Sequence, residues 1–277
     1  MPRSQRRAVL RAVGSVAVLG NLTGYTQQNG TETAAQDDQP PAASDESAVY
    51  RVVHAAPAAP DIDVYVDDSS SVTDMNFGDV SPYFTVEPGE YRMEVTEEND
   101  REQQLAAEEI TATAGSVTTV VVYTETTGTN STVAVDRLED DLSQPADGTA
   151  RVRLFHASPD APPIKLRVTE SLGPNTNGSP RSEALGFGEA ASIELSSGRQ
   201  TLGVFPADQQ QPPNGTAESG GALAERDLLL QNGGVYSLFA VGNLNPTTGV
   251  AEEDDEEFEL VAVQDAVDGT RSKGGIQ

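Results

Sequence analysis

Only two histidines occur in this 277-residue chain, and both head the same phrase. His54-Ala55-Ala56-Pro57-Ala58-Ala59-Pro60 is answered by His156-Ala157-Ser158-Pro159-Asp160-Ala161-Pro162. An imidazole performs acid–base catalysis only with a nucleophile or carboxylate at a set place. Each histidine instead ends an apolar strand face, Tyr50/Val52/His54 and Val152/Leu154/His156, just before a proline-rich bend. The repeated placement points to a buried ring that hydrogen-bonds the bend, with His54, Pro57, Pro60, His156, Pro159 and Pro162 as a structural motif.

The carboxylates offer two further chemistries. Asp61-x-Asp63 puts two acids on one strand face, with Asp67-Asp68 just beyond. Calcium takes six to eight oxygens, and such carboxylates with loop carbonyls can supply them. The second copy has Pro163 and Lys165 at the matching places, so a solvated acidic face is the plainer reading. The run from Glu252 to Glu257 reads the same way. Glycoside hydrolysis needs an acid/base pair of carboxylates. Glu183, Glu189 and Asp208, around the second copy's inserted loops, are the first to test for it. No phosphate-cradling glycine loop, His-Glu-x-x-His helix or Gly-x-Ser-x-Gly elbow occurs. The expectation is therefore no catalytic residue and no cofactor, with calcium as an alternative.

Composition narrows the partners. The formal net charge is −27, and only Lys165 and Lys273 are lysines. Phosphate binding needs a basic footprint, so nucleic acid is excluded as a partner. Such self-repulsion destabilises a compact state in dilute buffer. It is largely screened at about 1 M salt, where the Debye length is about 3 Å. The acidity is spread along the chain, which reads as adaptation to salt. Cysteine is absent, which removes disulfides, thiolate metal sites and cysteine nucleophiles.

The N-terminal stretch reads as an address. Arg6-Arg7-Ala8-Val9-Leu10-Arg11 resembles the twin-arginine export signal, with Val9 where phenylalanine is usual and Arg11 where lysine is usual. The apolar run that follows, Ala12 to Leu22, has 11 residues. A membrane span needs roughly 20, so this is an export segment and not a lasting anchor. Leu22-Thr23-Gly24-Tyr25 resembles a lipoprotein box with tyrosine in place of the lipidated cysteine. The polar, proline-bearing stretch beyond it has no apolar periodicity and is expected to be a disordered tether. Asn29, Asn130, Asn177 and Asn214 each begin an Asn-x-Ser/Thr glycosylation pattern.

The elements that position these groups are all strands. Ile62/Val64/Val66 and Ile164/Leu166/Val168 alternate as half-buried strands after each histidine phrase. Phe77-Gly78 is matched by Phe187-Gly188, and Glu87-Pro88-Gly89 by Ser196-Ser197-Gly198. The β-branched run Val117–Tyr123, answered by Val235–Val241, is expected to be a central strand covered on both faces. Turn signals every 8–12 residues and no helical period indicate about seven strands per copy. The fold class is all-β: two tandem antiparallel β-sandwiches, immunoglobulin-like in first choice, small barrels in second.

The expected boundaries are an export segment at 1–30, a polar linker at 31–47 and a first repeat at 48–138. A linker follows at 139–148, then a second repeat at 149–266 and a tail at 267–277. The second repeat carries two inserted loops, Ser171–Gly178 and Gln209–Gly215.

The order His-Ala-Ser-Pro-Asp-Ala-Pro, apolar strand, Phe-Gly, Pro-Gly-x-Tyr resembles the prokaryotic domain of unknown function 4397 over most of residues 48–138 and 149–266. His156 to Pro162 matches the motif in full, whereas Ala56 and Ala58 depart from it. The resemblance implies a secreted, β-rich, often tandem module and supplies no activity. The expectation is an exported, extracellular or cell-surface, non-enzymatic module that presents loops to an envelope protein or glycan. The alternatives are a polysaccharide-active enzyme and a calcium-dependent adhesive module.

Overall fold

The computed structural model describes residues 47–266 apart from 58, 68, 128–129, 172–181, 209–220 and 246–255. The export segment, the tail, both inserted loops, Asp68, Asn29, Asn177 and Asn214 lie outside the described residues, as does most of the acidic run.

The described residues form strands and no helix, in the all-β, sandwich-like arrangement that the alternation implies. Eight strands precede residue 140: β1 (Ala48–Ala55), β2 (Ile62–Val66), β3 (Ser69–Met75), β4 (Phe84–Val86), β5 (Gly89–Glu97), β6 (Asp100–Ala112), β7 (Val117–Thr127) and β8 (Asn130–Glu139). Seven follow: β9 (Thr149–His156), β10 (Ile164–Ser171), β11 (Ala190–Ser196), β12 (Gly198–Pro206), β13 (Ala224–Leu230), β14 (Val235–Val241) and β15 (Glu259–Ala266).

They make four sheets, ordered β4-β1-β7-β8, β3-β2-β5-β6, β11-β9-β14-β15 and β10-β12-β13. The third sheet repeats the first strand for strand. Among the described residues, the fourth repeats the second without a counterpart of β3. There Ser182–Leu185 runs back along β10, through Ser182 N to Leu166 O and Leu185 N to Ile164 O.

Period-2 alternation explains the layering. On β1, Tyr50 and Val52 point into a core shared with Ile62 and Val64 of β2, Met93 and Val95 of β5 and Ile110 of β6. Val152 and Leu154 on β9 do the same with Ile164, Leu166, Leu202 and Val204. The alternate residues are apolar too. Val53, Ala55 and Val121 pack against Phe155, Ala157, Phe239 and Val241 in a third core. The inner sheets of the two sandwiches thus lie face to face, giving four layers. β1 and β14 are buried along their whole length because both of their faces are covered.

Two details depart from a purely antiparallel sandwich. β1 pairs in parallel with β7, and β9 with β14. Parallel neighbours need a long crossover, and the excursion through the outer sheet supplies one each time. The segment 139–148 is also no free spacer. Glu139 ends β8, Asp140 is buried, and Arg151 Nη1 bonds Asp141 Oδ2 at 2.7 Å and Ser143 O at 3.1 Å.

Candidate functional site

Charged side chains sit inside the layer between the two sandwiches. Arg51 and Asp265 are each 2% exposed, and Arg51 Nη2 lies 2.7 Å from Asp265 Oδ1. Arg153 Nη2 lies 2.6 Å from Asp140 Oδ1. Thr119 Oγ1 donates to Asp140 Oδ2 at 2.7 Å, and Ser237 Oγ donates to Asp265 Oδ2 at 2.7 Å. Arg51 Nε donates to Thr119 Oγ1 at 2.8 Å, and Arg153 Nε to Ser237 Oγ at 3.2 Å. Tyr83 closes the cluster: its hydroxyl donates to Asp140 Oδ2 at 2.8 Å, and the Arg51 guanidinium stacks 4.7 Å above its ring.

Burial costs several kcal/mol per ion unless partners satisfy it, and here two cations meet two anions. Desolvation works against the Arg51 charge, yet Asp265, Tyr83 and Asp140 outweigh it and hold its pKa above the usual value. Desolvation raises Asp265 against the pull of Arg51 and Ser237. Burial likewise raises Tyr83, which therefore remains a donor.

The strand register explains the convergence. Arg51 and Arg153 each stand three residues before the histidine of their strand, on the face opposite the sandwich core. Thr119 is the Cα partner of Arg51, and Ser237 that of Arg153. Asp140 lies two residues past Leu138, which pairs with Thr119. Asp265 lies two residues past Val263, which pairs with Ser237. None of these seven residues stands out as chemistry in the sequence. The available signal is an arginine at the same offset before each histidine, followed on the same face by Val53 or Phe155.

The histidines are fully buried. His54 Nε2 donates to Pro60 O at 3.1 Å, while Nδ1 accepts from Ala56 N at 3.4 Å. His156 Nε2 donates to Pro162 O at 3.2 Å, and its Nδ1 has no hydrogen-bond partner among the described residues. Phe77 and Phe187 meet the rings edge-on, each with centroids 6.1 Å apart. Gly78 N and Gly188 N donate to the histidine carbonyls at 2.8 Å. Both glycines have positive φ, 81° and 78°, which side chains rarely adopt. Desolvation lowers both histidine pKa values, so both rings are neutral. Each ring therefore ties its own proline bend to the end of its strand.

Asp160, which has no acidic counterpart in the first phrase, adds a further tie. It accepts from Leu244 N at 2.8 Å and Asn245 N at 2.9 Å, fixing the chain where it leaves β14.

The two bends lie at the same end of the molecule. Arg51 meets Ser237 and Asp265 level with its own position on β1. Beyond it, Tyr123 meets Phe187 edge-on with centroids 5.4 Å apart, and a Cβ on Gly78 would stand 3.0 Å from Glu259 Oε1. The inner strands therefore run the same way in both sandwiches. At the bend end lie the β5–β6 turn, the end of β7 and start of β8, and the ends of β12 and β14. At the other end lie Ser47, segment 140–148 and Ala266, the last described residue.

The carboxylates singled out for chemistry are dispersed. Asp63 is buried, and its oxygens accept from Asp74 N at 3.0 Å and Asn99 N at 3.1 Å. Asp67 Oδ1 accepts from Arg92 N at 2.8 Å. Asp61 is exposed. Four residue steps along an extended chain separate Asp63 from Asp67 by about 13 Å, so one ion cannot take both. Among the described residues, no three His, Asp or Glu side chains gather as a metal site would require. Glu183 and Glu189 are exposed on the β10–β11 connection and Asp208 just after β12, and Glu189 Oε2 accepts from Gly186 N at 2.7 Å.

A pocket of about 530 Å³ opens beside the β5–β6 turn, lined by Asp63, Tyr65, Thr73, Asp74, Glu98, Asn99 and Arg101. It contains none of the three candidate glycosidase carboxylates. Desolvation and the nearby Asp74 raise Glu98, and Arg101 stacks 4.6 Å above Tyr65.

Residues 48–167 match the family described as "Domain of unknown function (DUF4397)". This supports the resemblance carried by the histidine phrases, and the match runs through the first sandwich into β10. No curated protein matches. Among solved structures, the chain is similar to the Bacillus anthracis TIE protein at 10% identity and a TM-score of 0.23, over 72% of this chain and 34% of that one. It is similar to a leucine-rich repeat protein from Bacteroides thetaiotaomicron at 11% identity and a TM-score of 0.18, over 72% of this chain and 26% of that one. The chain spans about a third of the first and about a quarter of the second.

Proposed function

We propose that this protein is an exported, salt-adapted, non-enzymatic module made of two copies of one β-sandwich, held at or near the cell surface, whose bend end binds an envelope protein or glycan. The observation that carries the reading is the polarity of the chain. The described residues begin and end at one end, and the two bends, the β5–β6 turn and the ends of β7, β12 and β14 gather at the other. A tether at one end leaves the other free for contact, and loops on a rigid scaffold are where binding residues concentrate. The charged cluster and the third core make that scaffold one body, so loops of both sandwiches can meet one partner. The net charge of −27 and the export-like N-terminus support a salty, extracellular setting.

The absence of cysteine makes the test clean. Thr126→Cys, near the β7–β8 tip, and Glu87→Cys, at the tether end, each carry a photo-cross-linker on intact cells at native salt. Both positions are exposed. The reading requires a defined envelope partner captured from position 126 and not from position 87. Equal capture from both, or recovery only as free protein in the medium, overturns it and turns attention to polysaccharide degradation.

A further inference from the structure

The pocket beside the β5–β6 turn is built from residues that the second sandwich lacks. Asp63 and Tyr65 stand on the face of β2 opposite the core residues Ile62 and Val64. The same places on β10 hold Lys165 and Arg167, engaged instead by Ala207 O at 2.8 Å and the Phe205 ring at 4.6 Å. β3, which supplies Thr73 and Asp74, has no counterpart among the described residues of the second sandwich. One copy of the fold thus forms without these groups, and folding alone does not account for them.

Asp63 fixes the two walls. Its oxygens accept from Asp74 N at 3.0 Å and Asn99 N at 3.1 Å, where both donor residues have positive φ, 61° and 59°. The walls are therefore set before a ligand arrives, which lowers the ordering cost of binding. Thr96, the Cα partner of Asp63, is 1% exposed, and its hydroxyl has no partner among the described residues. Opposed residues of an antiparallel pair stand side by side on one face, so an unpartnered hydroxyl lies beside the carboxylate that lines the pocket. Arg101, the cation on the wall, is engaged by Asp67 O at 2.8 Å and Glu94 Oε2 at 3.2 Å.

The lining selects the ligand's chemistry. The volume of about 530 Å³ lies within the roughly 300–1,000 Å³ of small-molecule sites. Those sites are mostly apolar, whereas here the lining side chains are polar, so an apolar ligand would desolvate carboxylates without replacing their hydrogen bonds. An anion would meet Asp74 and Glu98. A cation gains little at about 1 M salt, where its attraction is screened beyond about 3 Å. A polyol suits every group, since each hydroxyl donates to a carboxylate in a charge-assisted bond and accepts from an amide or hydroxyl.

We propose that this pocket binds one unit of a neutral saccharide. The inference rests on reading the bend end as the contact surface, and it names glycan as what the first sandwich contacts there. Asp74 and Glu98 accept from ring hydroxyls, and each chain takes one unit.

The test titrates the whole chain in molar potassium chloride with the methyl glycosides of glucose, mannose and galactose, and with glucuronate and putrescine as charged probes. Amide chemical shifts and ligand-observed saturation transfer report binding. At least one neutral glycoside should saturably shift the Asp74 and Asn99 amides, with glucuronate and putrescine weaker. Glu98→Gln should weaken that binding about five- to tenfold, because a charge-assisted bond is roughly twice as strong as a neutral one. Thr73→Trp, on the exposed rim, should abolish it, and Glu87→Gln at the far end should leave it unchanged, each variant keeping the wild-type spectrum elsewhere. Silence from all three glycosides, shifts confined to other residues, or putrescine binding in their place overturns the proposal. A protein partner cross-linked from position 126 alongside that silence would refute the saccharide and leave the surface reading standing. Saccharide binding with no cross-linked partner would do the reverse.

Discussion

Replacing Arg51 by methionine removes the cation of a buried pair while keeping the bulk of its stem. Asp265 is 2% exposed and would retain Ser237 Oγ and the more distant Arg153, and Asp140 would lose a second cation 3.9 Å away. Breaking a buried pair by removing one partner costs about 3–5 kcal/mol, because the other charge is left uncompensated. At roughly 2–4 °C per kcal/mol for a domain of this size class, the melting midpoint should fall by about 6–20 °C. Asp265→Leu alone should cost a comparable amount, since it strands Arg51. The double variant Arg51→Met/Asp265→Leu should recover most of the loss, as apolar replacements of buried pairs often do. Urea unfolding at fixed high salt, run as a double-mutant cycle, measures the coupling directly. Arg153→Met should cost less than Arg51→Met, because its side chain is 12% exposed and Asp140 keeps Thr119, Tyr83 and the Arg51 guanidinium 3.9 Å away. Additive single losses, or an Arg51→Met cost below about 1 kcal/mol, would refute the claim that these charges hold the sandwiches together.

Three further outcomes follow from the same geometry. Burial lowers the pKa of both histidines, so their contribution to stability is fully present above the unfolded value and declines as pH falls below about 6.5 toward the folded values. Each contributes a slope of up to about 1.4 kcal/mol per pH unit in that window. His54→Gln and His156→Gln should each flatten the profile from urea titrations, and an unchanged slope would mean the rings are not buried and neutral. Gly78→Ala should destabilise more than Gly188→Ala, because both residues have positive φ but only Gly78 has a neighbour, Glu259, within 3.0 Å of the added carbon. Strain of about 1–2 kcal/mol is common to both, and equal melting midpoints would show that the close approach to the second sandwich does not matter. The melting midpoint should rise steeply between 0.1 and about 1 M potassium chloride as the charge of −27 is screened. A midpoint independent of salt would remove the argument for salt adaptation.

What the sequence reveals of the fold is what period-2 alternation and turn chemistry encode. Ile62/Val64/Val66 and Ile164/Leu166/Val168 fall in β2 and β10, and the β-branched run from Val117 forms β7, central and covered on both faces. β3 escapes that reading because Ser69-Ser70-Ser71-Val72-Thr73-Asp74 has no apolar alternation. It forms as a mostly exposed edge strand paired to β2, with the carboxylate of Asp63 accepting from Asp74 N. Parallel pairing of β1 with β7 is invisible for a different reason. Alternation fixes which face a residue takes but not which distant strand lies beside it.

The charged cluster was hidden by the same logic, and its position explains why the two sandwiches form one scaffold. An arginine on a strand reads as a solvent-facing residue unless the opposing surface is known, and that surface comes from Ser237 and Asp265, 186 and 214 residues away. The signal it leaves is an agreement between the two halves of the chain. Arg51 and Arg153 share an offset from their histidines, and Thr119 and Ser237 share an offset from the start of their strands. Arginines on strand faces that also bury Val53 and Phe155 are under a constraint that solvent exposure does not supply. Duplicate strands with β-branched cores on one face and a mixed apolar–charged pattern on the other therefore identify a second buried surface. In this chain that surface joins two sandwiches whose bends then point the same way.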